Sequence, residues 1–149
     1  MYRNVSEFIQ DWTRESGISL KVELALNDAS LSQKTDPEGR TLGQLAWHMV
    51  VMIGMTGAAV GLPVESPARG TEPPASARTI AQAYEKAARS LGEQAGQKLK
   101  DGELSTEIPL FGRTLTIAWA LHSLVRHQIH HRAQMMILMR QAGLVPPGV

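Results

Sequence analysis

The sequence has no cysteine. That absence excludes disulfides, thiolate-ligated zinc and a sulfur nucleophile carried by the protein itself. Aromatic residues are scarce at 5%, and fifteen Lys and Arg against fourteen Asp and Glu leave a formal charge of only +1. The basic residues are scattered, so they build no positive face for a phosphate backbone, and no nucleic-acid partner is expected. Long hydrophobic runs are missing too. The most apolar stretch, 46–60, is interrupted by His48, Gly54, Thr56 and Gly57, and falls short of the ~20 residues that cross a bilayer. The opening residues, Met1 to Glu7, turn polar without the apolar core of a secretory signal. The expectation is one domain, 1–149, cytoplasmic and without a membrane partner.

What is present is helical periodicity. Val5, Phe8, Ile9, Trp12, Ser19, Leu20 and Leu26 predict a first helix from about 5 to 26. Thr41 is a good N-cap for a second, with Leu42, Leu45, Met49, Met52 and Ile53 along one face and Gly61–Pro63 as its stop. Five prolines and glycines between 63 and 76 mark a long irregular connection, which suits a crossover between helices that are not up-down neighbours. A third helix is predicted from Ser76 or Thr79, fading through Gly92 and Gly96. An extended piece over 104–111 and a turn at Gly112 follow. The fourth helix is predicted over 114–142, closed by Gly143. The fold class is therefore all-α, a four-helix bundle with a long crossover loop.

Chemistry gathers in the histidines. Of five, His122, His127, His130 and His131 lie on the predicted fourth helix. His127 and His131 are four residues apart, which sets them about 40° apart on one face, the geometry by which two imidazoles share a metal. His130 lies roughly 60° to the other side of His127 and His122 about 140° away, so neither joins the pair without distorting the helix. A two-histidine site is underligated, and His48 is the one remaining histidine. It shares the stripe of Leu45, Met49 and Met52, where an inward-facing imidazole needs a partner for its ring nitrogens. A plainer account competes: a histidine pair on a helix is commonly polar decoration, and a lone one on an apolar face is commonly a hydrogen-bonded core residue. By the same token the methionines read as packing, Trp12, Trp47 and Trp119 as packing or as walls of a ligand pocket, and Arg132 as a solvated or interface charge, with a hold on an anionic substrate as the alternative.

Two blocks carry a family resemblance. Arg40-Thr41-Leu42-Gly43-Gln44-Leu45-Ala46-Trp47-His48 resembles the entry to the second helix of the DinB/YfiT-like metalloenzymes. His127-Gln128-Ile129-His130-His131-Arg132-Ala133-Gln134, continuing to Gly143 and Pro146-Pro147, resembles that family's final helix. Ala133 departs from the glycine often found there. The resemblance implies an up-up-down-down bundle, often a homodimer, holding nickel, zinc or a similar divalent ion such as iron on His48, His127 and His131. It also implies a candidate activity, transfer of a low-molecular-weight thiol of the bacillithiol or mycothiol kind to a small-molecule substrate. A metal-dependent hydrolase and a non-catalytic metal- or ligand-binding bundle stay open as alternatives.

Overall fold

Each helix begins where a short polar side chain takes up a free backbone N–H. In the computed structural model, which describes residues 1–148, helix α1 covers Val5–Leu24 and is capped by Asn4, whose Oδ1 accepts from Glu7 N at 2.9 Å. Helix α2 covers Leu42–Ala59 behind a reciprocal cap between Thr41 and Gln44. Helix α3 covers Ala77–Lys98 with Ser76 as its cap, and α4 covers Ile117–Gln141 with Thr116. Gly143, at φ +79, closes α4 while Leu144 N donates to Met139 O at 2.9 Å. The expected end at Val149 falls on the residue outside those described.

The cap at Thr41 lies where the sequence places it, of the two starts open to the third helix Ser76 is the cap, and two other expectations change. Helix α3 runs through Gly92 and Gly96 to Lys98, because both glycines sit against α1, opposite Trp12 and Ile9. The fourth helix does not start at Thr114. Glu107–Leu110 (β1) and Arg113–Thr116 (β2) form an antiparallel hairpin, Leu110 opposite Arg113, and α4 begins only after it. The alternating β-branched residues Thr114 and Thr116 favour the strand. The two residues of the hairpin turn, Phe111 and Gly112, have φ of 51° and 74°.

Chain direction follows from a few contacts. Leu42 N donates to Gln33 O, and Ala77 N to Asp28 Oδ1, both at 2.8 Å, so α2 and α3 both start beside the short 3-10 turn that follows α1. Trp12 Nε1 donates to Ala88 O at 2.9 Å while Val5 N reaches Asp101 beyond α3, so α1 and α3 are antiparallel. Tyr2 packs on His122 and Arg132 reaches Glu15, which makes α1 and α4 parallel. The order is up-down-down-up, with one long crossover, and it replaces the up-up-down-down arrangement implied by resemblance. The 18 residues of α2 rise about 27 Å, and residues 60–76 return that distance before α3 can start. They lie directly on α2: a Cβ at Gly54 would collide with Ser66, and one at Gly57 with Val64. The glycines that interrupt the apolar run are thus the seat of the crossover. α2 is also the one helix among the described residues long and apolar enough to span a membrane, with a mean hydropathy of 1.2 and 61% of it buried in the bundle.

The core draws on all four helices, with Phe8, Trp12, Leu42, Ile53, Tyr84, Leu91, Leu121 and Met135 closed off from solvent. Each such side chain contributes roughly 1.5–3 kcal/mol through burial. Polar groups are threaded through it. Tyr84 Oη donates to Gln128 Oε1, and Gln128 Nε2 donates to Met49 O, both at 3.1 Å. Arg132 is not the solvated or interface charge the sequence indicates. It is buried, donating to Glu15 Oε2 at 2.8 Å, Glu15 O at 3.0 Å and Ser19 Oγ at 3.1 Å.

Glu23 is 1% exposed, and neither carboxyl oxygen has a partner among the described residues. Burial pushes its pKa up to about 8. The raised value means that Glu23 favours folding below its ordinary pKa of 4.5, where it is protonated in both states. That advantage is lost as pH rises toward 8, because the unfolded chain ionises and the folded one resists. Glu23→Gln cannot ionise. The parent melting temperature is expected to fall relative to that of Glu23→Gln as thermal melts move from pH 5 to pH 8. A gap between the two that does not change with pH would refute a protonated Glu23.

Candidate metal centre

The three histidines expected to act together do converge. His48 sits on α2, two turns after the Thr41 cap, and His127 and His131 sit one turn apart on antiparallel α4. His127 Nε2 lies 3.0 Å from His48 Nε2 and 3.1 Å from His131 Nε2. The three ring centroids are 4.3 to 4.9 Å apart, with no two rings stacked face to face. All three side chains are half-buried at the surface of the bundle. His122 instead packs edge-on against Tyr2, and exposed His130 meets His131 by its ring edge with its nitrogens outside the group. Both stay apart, as helical geometry requires.

Hydrogen bonding alone cannot satisfy this arrangement. An imidazole nitrogen has either one proton or one lone pair, so His127 Nε2 can serve one neighbour and not two. Gln134 Oε1 accepts from His131 Nδ1 at 2.7 Å, which puts the His131 proton on Nδ1 and leaves Nε2 as a bare lone pair aimed at the other two rings. Around a cation with nitrogen ligands at about 2.0–2.1 Å, atoms 3.0–3.1 Å apart subtend roughly 95°, between an octahedral face and a tetrahedron. The donor set fits a divalent ion of the zinc, nickel, copper or iron type. His127 Nδ1 is buried without a partner among the described residues, so the orienting bond that Gln134 gives His131 has no counterpart there at His127.

The protonation state agrees with that fit. Burial, reinforced by the Arg40 guanidinium and by His131, lowers His48 to about 4. Burial and then the two neighbouring imidazoles lower His127 to about 3. His131 is lowered by burial as well, partly offset by its bond to Gln134. At neutral pH all three rings are uncharged, the form that ligates.

Two openings reach the histidines. On the His48 side lies a cleft of about 520 Å³ between α2, the crossover and the hairpin turn; on the His131 side, one of about 300 Å³; Arg40 lines both. Trp47 fixes the crossover to α2, donating from Nε1 to Thr71 O at 3.0 Å and Thr71 Oγ1 at 3.2 Å. Met52 and Met55, which the sequence indicates as packing, line the larger cleft together with Trp47, for which a pocket wall is the alternative reading. The crossover and the hairpin carry no chemical motif, and sequence reasoning left them out of the site. Among the described residues no carboxylate joins the histidine group.

A four-helix bundle with three histidines from two antiparallel helices, open on both sides, defines a class of histidine-site bundle proteins. Within that class the chain belongs to the DinB family, whose model matches residues 1–149. It is 34% identical over 149 residues to the Bacillus subtilis protein YrdA, covering all of this chain and 89% of that one. The crystal structure of a DinB-like protein from Bacillus cereus superposes with a TM-score of 0.95 at 40% identity, covering 100% and 99% of the two chains. A second DinB-like protein, YjoA of B. subtilis, shares the fold at 14% identity, with a TM-score of 0.73 over 95% and 96% of the chains.

Proposed function

We propose that His48, His127 and His131 hold one divalent metal ion, zinc or nickel in the first instance, and that the protein transfers a small-molecule thiol to an electrophile. The observation that carries the reading is the convergence of three neutral ring nitrogens on one point beside an open cleft. Bound there, a divalent cation supplies a positive field that keeps a sulfhydryl ionised near neutral pH. The chain contributes the rest. Three uncharged ligands leave that field undiminished, Gln134 holds one of them in the ligating tautomer, and Arg40 adds positive charge at both openings. Having no cysteine, the protein takes its sulfur from a cosubstrate of the bacillithiol or mycothiol kind.

The lack of a carboxylate in the histidine group supports thiol transfer over hydrolysis, which asks for a general base beside the activated water. Metal-loaded protein is expected to conjugate a low-molecular-weight thiol to members of an electrophile panel, with His48→Ala slower by about a hundredfold or more. Turnover retained in His48→Ala would sink the mechanism. Stoichiometric metal with no turnover on any thiol would favour a non-catalytic binder.

A further inference from the structure

The cleft beside His48 has a wall whose chemistry the histidines do not explain. Its apolar part is built by Trp47, Met52, Met55 and Phe111, and its cationic part by Arg40 and Arg69. Phe111 is unusual on two counts. It is 63% exposed, and it occupies the first position of a two-residue hairpin turn at φ 51°. That position favours Asn, Asp or Gly, and a bulky aromatic pays in backbone strain to stand there. Neither burial nor turn geometry accounts for a phenyl ring at this place. Strained, exposed residues of this kind collect at ligand sites. Among the described residues neither arginine forms an ion pair, so both line the cleft without a protein counter-charge. Glu72 is the one carboxylate lining the cleft, and it pairs with neither.

We infer that this cleft binds a substrate with a flat apolar body ending in an anionic group. Phe111 covers the apolar body against the Trp47–Met52 wall, and Arg40 and Arg69 receive the charge. Guanidinium recognises a carboxylate through paired hydrogen bonds, and an aromatic ring on a stiff turn gives contact area at little entropic cost. About 520 Å³ accommodates a fused bicyclic ring with one substituent. The inference deepens the proposed function and rests on it for the word substrate. The cleft itself is testable without metal or turnover.

The experiment is calorimetric titration of EDTA-treated protein with three probes of one shape: 2-naphthoate, 2-naphthylmethanol and 2-naphthylmethylammonium. The parent is expected to bind the naphthoate about tenfold more tightly than the alcohol, and the ammonium most weakly. Arg69→Gln should remove most of that preference while leaving the alcohol unchanged. Phe111→Asn should weaken naphthoate and alcohol alike, by about fivefold, while raising the melting temperature by a few degrees through relief of turn strain. The rise in melting temperature shows that the lost binding is not lost folding. Equal affinity for the three probes, or undiminished binding by Phe111→Asn, would overturn the inference. Metal content, measured on the same preparations before EDTA, separates the two ideas. Metal without probe discrimination fails the cleft and spares the centre, and probe discrimination without metal does the reverse.

Discussion

Purified protein is expected to retain about one divalent ion per chain and His127→Ala essentially none. His127 is the middle ring of the three, with its Nε2 within 3.1 Å of both others. Its removal leaves His48 and His131 without the nitrogen that joins them. Two isolated imidazoles hold a metal far more weakly than three, and each lost ligand costs orders of magnitude in affinity. Elemental analysis after gel filtration, following incubation with zinc or nickel, reads the result directly. His130→Ala is the control, since its ring lies outside the convergent group and exposed to solvent. Metal retained in His127→Ala, or lost equally in His130→Ala, would remove the basis for the three-histidine centre.

Arg132→Ala is expected to cost about 3–5 kcal/mol of folding stability, a large share of the roughly 5–15 kcal/mol that holds such a domain together. The cause is the charge left behind. The Arg132 and Glu15 side chains are only 10% and 7% exposed. Without the guanidinium, the Glu15 carboxylate keeps only a contact at 2.9 Å to Arg14, which is itself 70% exposed. Glu15 O and Ser19 Oγ lose their donor at the same time. Urea denaturation followed by circular dichroism measures the loss. The double variant Glu15→Leu/Arg132→Met is expected to recover most of it, because removing both charges removes the stranded one. A single variant within about 1 kcal/mol of the parent would mean that water reaches Glu15 and the pair is not a buried one.

Features written in local pattern were legible: the cap at Thr41, the start of α3 near Ser76, the Gly143 stop, the separation of His122 and His130 from the His127–His131 pair, and the grouping of His48 with that pair. What the pattern hides is polar residues doing apolar residues' work. Arg132 falls four residues after Gln128 and three before Met135, on the buried face of α4, and Glu15 and Glu23 fall on the buried face of α1. A reading that scores charge as surface passes over them, although their positions are as inward as those of Trp12 or Leu121. The β2 strand was missed for a different reason. Thr114-Leu115-Thr116 is too short to show a period, and its pairing with β1 is a tertiary fact. The crossover between α2 and α3 was legible in its length, whereas the direction of α1 and α4 relative to them was not, because it rests on tertiary contacts such as Trp12 to Ala88 and Tyr2 to His122.

The crossover divides labour within the molecule. The three histidines stand on rigid helices, whereas the wall facing any bound molecule comes partly from residues 69–73 and the tip of the hairpin. Connections tolerate insertion and replacement in a way that packed helices do not. A chain built like this can change what it accepts by exchanging two loops, leaving the ligand spacing on α2 and α4 untouched. It is therefore a ready scaffold for loop grafting, in which a constant histidine centre is presented to a series of altered clefts.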